Sequence, residues 1–360
     1  MNLLVVQAST IDMKALKNIN RIQLRNETLT ILLDLYESKG KTFYYNELFK
    51  KDVEAFQSLT IEKDLMSLQS LFNLKLTDAR VKFIAKNNFS AKTKDEQFIG
   101  NIKNILTIIQ NNHDRFELIV NEIHNLAKFL TVDHTTINWN KQDILETEGL
   151  LGKNKSISTR ELLDGLNNEY ISLTKKHQFE QVTLITNYYV DFINMDIFDN
   201  YNKEVAMFLL YTMIFELFPI YKYVSFFKYF AKHYQGWQYA LEQASYNWDS
   251  QFSQTDNLTH ILYNIIVESY EEVNELARQY EFEKNLNKSD TIENTILKQK
   301  QLFSKNDLRK LHPTVSDSTI DRTLQRLRDE GKIMPIGSGR SSRWQVLVEN
   351  TSFSQLDLFD

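Results

Sequence analysis

The stretch of sequence that decides the fold is residues 191–207, which read DFINMDIFDNYNKEVAM. An apolar segment comes first, Ile197, Phe198 and a short polar loop follow it, and a second, strongly apolar segment ends the stretch. The spacing of the apolar residues predicts a helix over Val182–Met195 and another over Lys203–Phe218. We therefore expect two core helices joined by this loop.

The most apolar run of the chain, Val205–Phe215, is 11 residues long and is followed by Glu216. A bilayer span needs about 20 such residues, so the run predicts a buried helix and no membrane partner. Leu3–Val6 is too short, and too poor in preceding basic residues, to be a secretion signal. The chain has no cysteine, which excludes thiolate chemistry and fits a cytoplasmic protein.

Turn-forming residues are scarce, with 9 glycines and 3 prolines in 360 residues, against about 12% in an average protein. Neither GxGxxG nor GxxxxGK[ST] occurs, which argues against dinucleotide-binding folds and P-loop enzymes. The composition predicts a mainly α protein. Helical spacing recurs in Asn26–Leu76, Asn101–Leu130, Leu162–Leu173, Tyr221–His233, Gly236–Trp248 and Leu258–Tyr280, whereas Thr131–Ser158 reads as irregular with room for a short hairpin and Glu281–Asp290 reads as a linker.

The net charge of -5 is unevenly distributed. Residues 289–348 carry 11 Lys and Arg against 7 Asp and Glu, which leaves 31 basic against 40 acidic residues elsewhere. A basic module on an acidic body indicates that anion binding, where present, belongs to the C-terminal part.

This basic module has the pattern of a winged helix. A helix over Thr291–Leu302 precedes one over Lys305–Leu311, for which Ser304 is the expected N-cap. A third helix follows, and Gly331 stands where a left-handed C-cap belongs. Two strands then flank the tip Gly337-Ser338-Gly339-Arg340. The details resemble the winged-helix family closely.

The module predicts contact with duplex DNA. Arg and Gln side chains on the third helix can form bidentate bonds to base edges in a major groove, and an Arg on the wing can reach phosphate or the minor groove. The predicted DNA-binding residues are Ser318, Thr319, Arg322, Gln325, Arg326 and Arg340. The alternative is a protein-docking module, because four acidic residues dilute the positive field, namely Asp317, Asp321, Asp329 and Glu330.

The loop after Met195 resembles the motif of the Fic/Doc (Fido) family, which has the form H-x-F-x-D/E-A/G-N-K/G-R between two core helices. Residues Asp196–Glu204 take that place. The resemblance covers about residues 70–345 and includes the segment Trp248–Phe252 and the appended winged helix. It implies transfer of a nucleotide from a triphosphate, or of a phosphate, to a protein hydroxyl. That reaction needs a base, an acid that holds Mg²⁺ and a cation that neutralises phosphate.

The motif departs from the family at its chemical positions. Asp196 stands for the base His, Asn200 for the metal-binding acid and Glu204 for the phosphate-binding Arg, while Phe198, Asn202 and Lys203 match. Loss of a general base alone lowers a rate by about 10² to 10⁴. We therefore expect an inactive domain with no cofactor.

Two other interpretations of Asp196, Asn200 and Glu204 remain open. The first is a Fic-type nucleotidyltransferase or phosphotransferase that uses ATP and Mg²⁺, with Asp196 as a weak base or Lys203 as a phosphate ligand. The second is a solvated loop with an acidic first helical turn. The family's inhibitory [ST]xxxE[GN] helix would correspond to Lys82–Asn87, where Lys86 occupies the Glu position.

The last residues, ENTSFSQLDLFD, are expected to form a flexible tail. Within it Gln355, Leu356, Leu358 and Phe359 belong to a pentapeptide that resembles the bacterial sliding-clamp binding motif QL[SD]LF. Such a peptide places Leu and Phe in apolar pockets of its partner. The alternative is that these side chains fold back on the chain or on the other subunit of a homodimer.

The sequence thus predicts a mainly α protein with a Fic-like helical core and a C-terminal winged-helix domain. The expected parts are a helical region over 1–69, the Fic-like domain over 70–285, the winged helix over 286–348 and the tail over 349–360. The expected function is DNA-associated regulation or interaction without catalysis.

Overall fold

The structure is a computed structural model that describes residues 14–21, 26–112, 116–141, 144–147, 154–285, 288–298, 302–312, 315–337 and 343–347. The chain divides into two compact units, Met1–Glu275 and Leu276–Asp360. Helices dominate both units, and a small antiparallel sheet lies in the second. The predicted fold class, mainly α with a small C-terminal β region, is confirmed. No described helix is both long enough and apolar enough to cross a bilayer.

The first unit contains a series of helices and one hairpin. The helices are α1 (Lys14–Asn18), α2 (Asn26–Gly40), α3 (Thr42–Phe49), α4 (Val53–Leu71), α5 (Asp78–Lys86), α6 (Lys94–Asn112), α7 (Val120–Thr131), α8 (Thr159–Lys176), α9 (Gln181–Met195), α10 (Asn202–Leu217), α11 (Phe226–Tyr246) and α12 (Asp256–Asn285), which continues into the second unit. Strands β1 (Ile144–Thr147) and β2 (Asn154–Ile157) form the antiparallel hairpin between α7 and α8.

The core of the first unit is built around α9 and α10. Every residue of Val205–Phe215 is buried, and Glu216 is exposed. A helix that is apolar on all sides has no face suited to water, and α6, α7 and α9 pack around α10. Both helices match the predicted segments to within one residue at each end.

Two predictions about helix boundaries are wrong. The predicted helices Tyr221–His233 and Gly236–Trp248 merge into a single helix, α11 (Phe226–Tyr246), because its buried face continues through Phe230 and Trp237. Residues 221–225 precede this helix. Gly236 lies inside that helix at a cost of about 1 kcal/mol relative to alanine. The predicted linker Glu281–Asp290 contains the end of α12 at Asn285 and the start of α13 at Lys288, so most of its residues are helical.

The second unit contains three more helices and a three-stranded sheet. The helices are α13 (Lys288–Leu297), α14 (Lys305–Leu311) and α15 (Asp317–Asp329), and the strands are β3 (Phe303–Ser304), β4 (Ile333–Ile336) and β5 (Arg343–Val346). The sheet order is β3-β5-β4, and both pairs are antiparallel. One buried core joins these elements, formed by Ile292, Ile296, Phe303, Leu308, Ile320, Leu324, Leu327 and Ile333.

Local capping chemistry sets the helix ends of the second unit. The Ser304 side chain accepts a hydrogen bond from the amide of Asp307, which returns one, so the two form a capping box. Ser316 Oγ accepts from the amide of Thr319 at the start of α15. Gly331 has φ of +70° after the end of α15, a conformation that costs glycine little. Each of these features follows from residues close in sequence.

Candidate functional site

The loop between α9 and α10 is held by a short backbone pairing with residues 138–140. The amide of Asn140 donates to the carbonyl of Ile197 at 2.9 Å, and the amide of Asp199 donates to the carbonyl of Asn138 at 3.1 Å. Asp199 Oδ1 in turn accepts from the amide of Asn138 at 2.9 Å. A segment distant in sequence therefore supports the loop.

Phe198 and Asn202 anchor the loop from the inside. Phe198 is buried, and its ring centroid lies 5.0 Å from that of Trp139. Asn202 is also buried, and its Oδ1 accepts from the amide of Phe198 at 3.2 Å. Two of the residues that match the Fic motif thus shape the loop in this chain.

Tyr201 begins α10 in a left-handed conformation, with φ of 55° and ψ of 20°. A residue other than glycine there carries a strain of about 1 to 3 kcal/mol, which distant contacts must offset. Its hydroxyl lies 2.6 Å from His134 Nε2, and its ring centroid lies 5.4 Å from that of Phe98. The residue before α10 therefore has a backbone conformation that favours glycine but carries an aromatic side chain.

His134 is a site residue for which the sequence gives no signal, since it lies 67 residues from Tyr201 and in no motif. Its Nδ1 lies 3.2 Å from the carbonyl oxygen of Lys94. Because a carbonyl only accepts, we assign the ring proton to Nδ1, so that Nε2 accepts from the Tyr201 hydroxyl. Burial, together with the charges of Glu204 and Asp95, raises the pKa of Tyr201, which agrees with a protonated phenol as the donor.

A cavity of about 500 Å³ opens beside the start of α10. Residues from α4, α6, α9, α10 and α11 line it, together with His134. The lining is rich in aromatic side chains, and its members are Leu71, Phe72, Leu74, Asp95, Phe98, His134, Tyr189, Tyr201, Lys203, Glu204, Tyr234, Trp237, Gln238, Leu241 and Glu242. The helical spacing of Tyr234, Trp237 and Leu241 is the one signal in the sequence that could have indicated a wall of this cavity.

Carboxylates outnumber cations in the lining. Asp95, Glu204 and Glu242 face one cation, Lys203. Burial raises the pKa of Glu204, against the opposing effects of its own backbone amide and of Lys203. Burial and the Glu204 carboxylate also raise the pKa of Tyr234. The charge of Glu204 therefore affects the pKa of an aromatic residue that lines the cavity.

The six motif positions do not all meet at the cavity. Lys203 and Glu204 line it, whereas Asp196 and Asn200 do not. Asp196 is exposed, and its Oδ2 accepts from Asn140 Nδ2 at 2.7 Å. Asn200 is exposed at the tip of the loop.

These residues do not fit a magnesium–nucleotide complex. Asn200 offers a neutral oxygen, whereas Mg²⁺ prefers carboxylates, and Glu204 adds a negative charge to the first turn of α10, where a phosphate would need a cation. Within the described ranges, no group of three or more His, Cys, Asp or Glu side chains could hold a metal ion.

The other segments of the predicted Fic resemblance lie away from the cavity lining. Residues 82–87 fall on α5 and just after it, and Lys86 Nζ pairs with Glu62 Oε2 at 3.0 Å. Trp248 Nε1 donates to Asp191 Oδ1 at 2.7 Å. Asp191 is buried, and its two oxygens also accept from the amides of Ala15 and Leu16. Trp248 therefore supports α9 through a buried carboxylate.

The predicted DNA-binding residues of α15 differ in their exposure. Ser318, Arg322 and Gln325 are exposed, whereas Thr319 and Arg326 are half-buried. The Arg326 guanidinium pairs with Glu293 of α13 and with Glu330. Arg340 and the tail residues Gln355, Leu356, Leu358 and Phe359 lie outside the described residues.

Solved structures of Fic proteins resemble this chain in fold. A Fic family protein from Desulfovibrio desulfuricans G20 superposes with a TM-score of 0.55 at 9% identity, over 91% of this chain and 97% of that one. A Fic domain containing signaling protein from Bacteroides thetaiotaomicron VPI-5482 gives a TM-score of 0.50 at 14% identity, over 68% of this chain and 98% of that one. No family model and no curated protein matches the sequence. The chain therefore has a Fic-like fold.

Proposed function

We propose that this chain is a Fic-fold interaction protein that transfers no nucleotide, and that its second unit contacts duplex DNA. The observation that carries the first part is the reversed charge at the start of α10. Three carboxylates and one cation line the adjoining cavity, and Glu204 occupies the motif position of the phosphate-binding Arg.

Electrostatics in this cavity oppose a triphosphate. A helix N-terminus attracts anions through its free amides and its dipole, but the half-buried Glu204 carboxylate already occupies the first turn of α10. Repulsion between like charges is strongest where water is scarce. The charge at the start of α10 therefore disfavours a polyphosphate in this cavity.

Labelled nucleotides test the loss of catalysis. We expect no label transfer from ATP, GTP or UTP with Mg²⁺ to proteins of a bacterial lysate. The triple variant D196H/N200D/E204R restores the three motif residues, and we expect it to bind ATP at least about tenfold more tightly than the wild type does, a gain of about 1.4 kcal/mol. Label transfer by the wild type that D196A abolishes would instead support the alternative enzyme, with Asp196 as its base.

The proposed DNA contact depends on the exposed face of α15. Ser318, Arg322 and Gln325 share that face, and no ion pair neutralises Arg322 within the described part of the second unit. The order of helices and strands there supports a winged helix, in which this helix enters the major groove. Because Arg326 is engaged by Glu293, we assign the larger share of the DNA contact to Arg322.

Fluorescence anisotropy with a labelled duplex tests this assignment. We expect R322A to weaken binding by about tenfold and to lower the slope of log K against log salt by about 1 if the contact is to phosphate. R326A should weaken binding less. R160A is the matched control, because Arg160 is an exposed arginine of the first unit. Equal binding by R322A and R160A would exclude the α15 face.

The tail is a further part of the proposal, supported by sequence alone. Gln355-Leu356-Asp357-Leu358-Phe359 would dock on a bacterial sliding clamp through Leu358 and Phe359. We expect the full chain to bind a purified clamp and the double variant L358A/F359A to lose at least about tenfold in affinity. Failure of the wild type to compete with a known clamp peptide would remove this partner.

A further inference from the structure

We infer that the cavity beside α10 binds an organic ammonium ion, either as a free small molecule or as the side chain of a peptide. The inference builds on the proposed function in one respect, namely that a nucleoside triphosphate is not the occupant. It assigns a ligand class to a cavity that the loss of catalysis alone would leave without a role.

Aromatic side chains line the cavity on more than one side. Phe98 lies at the centre of one wall, with its ring centroid 5.6 Å from that of Phe72 and 5.4 Å from that of Tyr201. On another wall Tyr234 is half-buried, and the ring centroids of the buried Tyr189 and Trp237 lie 5.4 Å apart. The faces of aromatic rings attract organic cations, and several rings around one cavity form a cage for them. A volume of about 500 Å³ is within the range of small-molecule sites.

The charge of the lining is the second argument. Glu204 is half-buried, accepts a hydrogen bond from its own backbone amide and forms no ion pair with any described residue, while Asp95 and Glu242 add two more carboxylates. A carboxylate withdrawn from water is costly unless a cation or hydrogen-bond donors compensate it. Lys203 is the one cation among the described residues of the lining, and it is exposed. A bound ammonium ion would supply a cationic partner for Glu204.

No other ligand class matches both the rings and the carboxylates. The three carboxylates would repel an anion, and a neutral aromatic molecule would stack on the rings but leave Glu204 without a cationic partner. An organic ammonium ion with an apolar body matches both the rings and the carboxylates.

Calorimetry with matched probes tests the ligand class. Choline and 3,3-dimethyl-1-butanol have the same shape, but only choline is charged. We expect saturable binding of choline and at least about tenfold weaker binding of the neutral alcohol. Equal affinity for the two, or binding of adenosine with none of choline, would overturn the inference. Titration of ATP with Mg²⁺ in the same cell tests the proposed function separately, since nucleotide binding and cation binding are independent readouts.

Two variants with opposite expected signs sharpen the test. E204Q should weaken choline binding by about tenfold, whereas K203A should strengthen it because a competing cation is removed. An anion site would show the reverse order. K176A is the control, because Lys176 is an exposed lysine on α8. Thermal unfolding confirms that each variant folds, and K203A alone keeps the inference falsifiable if E204Q does not fold.

The same calorimeter distinguishes the two sources of the ammonium group. Spermidine and choline represent free small molecules, and short peptides with lysine or trimethyl-lysine represent a protein partner. Tighter binding of a peptide than of both free ions would identify a protein side chain as the occupant, and the reverse order would identify a small molecule. Binding of none of the four would overturn the inference.

Discussion

The first turns of α10 and α15 are stabilised in different ways. Ser316 caps α15 in an extended conformation, with its own Oγ accepting an amide hydrogen bond. Tyr201 precedes α10 in a left-handed conformation and makes no side-chain cap, so it depends on His134 and Phe98. One helix start is determined locally and the other by tertiary contacts. A helix start of the second kind persists only where the surrounding structure maintains it.

The carboxylates of the two units also differ in how their negative charge is compensated. In the second unit, hydrogen bonds from Lys332 and Arg326 help to lower the pKa of Glu293, and a hydrogen bond from Arg309 lowers that of Asp317. In the first unit, burial raises the pKa of Asp64 to about 7 and that of Asp191 to about 6. The second unit compensates its acidic groups with cations, whereas the first buries some of them without a cationic partner.

Truncation of Phe198 should have the largest effect on the supported loop. F198A removes a fully buried ring that packs on Trp139, and we expect a loss of about 3 to 5 kcal/mol in the free energy of unfolding. Urea unfolding followed by circular dichroism measures it. F129A, at an exposed phenylalanine of α7, should cost below about 1 kcal/mol. Similar losses for both variants would contradict the role given to Phe198.

The pH dependence of stability tests the buried carboxylates. Between the ordinary pKa of an aspartate, about 3.9, and the value near 7 for Asp64, the folded protein binds more protons than the unfolded chain. Stability should therefore fall as pH rises through that window, by at most about 1.4 kcal/mol per pH unit for this group. D64N keeps an oxygen for Ser225 and for the amide of Phe227, and it should remove this contribution.

Urea unfolding between pH 4.5 and 7 measures that difference. The wild type should lose stability relative to D64N as pH rises across the window. D164N, at an exposed aspartate of α8, is the control and should follow the wild type. Parallel curves for the wild type and D64N would show that Asp64 is not protonated on folding.

The hydrogen bond between Tyr201 and His134 tests the tertiary support of α10. Y201F removes the hydroxyl but keeps the ring on Phe98, and we expect a loss of about 1 kcal/mol. A double-mutant cycle with H134A isolates the pair, since the second substitution should cost less once the first is present. Strict additivity would mean that the bond does not stabilise the loop.

The local cap of α15 provides the corresponding test in the second unit. S316A should cost about 1 kcal/mol in helix stability. T295A leaves this cap intact and removes instead the hydrogen bonds of Thr295 Oγ1 with the carbonyl of Thr291 and with His312 Nε2, so it is a comparison for the loss of a tertiary hydrogen bond. Retention of full stability by S316A would show that α15 does not depend on its local cap.

The smallest effect should come from Arg326. R326A removes the pairs with Glu293 and Glu330, and partly exposed pairs of this kind contribute below about 1 kcal/mol. The loss should shrink further at high salt. A loss above about 2 kcal/mol would mean that this arginine is a principal link between α13 and α15.

Sequence reasoning predicted the parts of the molecule that local rules control. The all-round apolar pattern of α10, the cap at Ser304 and the left-handed Gly331 all follow from nearby residues. The fold joins the predicted helices on either side of residue 235 into α11, because a continuous buried face outweighs one weak helix former, Gly236. At the site, Lys203 and Glu204 were singled out because they stand in a recognisable loop. His134, Asp95 and Phe98 reach that loop only through the fold, so no local pattern indicates them.

The most direct test of the account is a calorimetric titration of ATP with Mg²⁺ into the wild-type chain. The acidic lining of the cavity predicts no saturable heat up to millimolar nucleotide, and it predicts that binding appears in D196H/N200D/E204R. Saturable binding by the wild type, unchanged in the triple variant, would contradict the proposal that the acidic lining of this cavity excludes a nucleoside triphosphate.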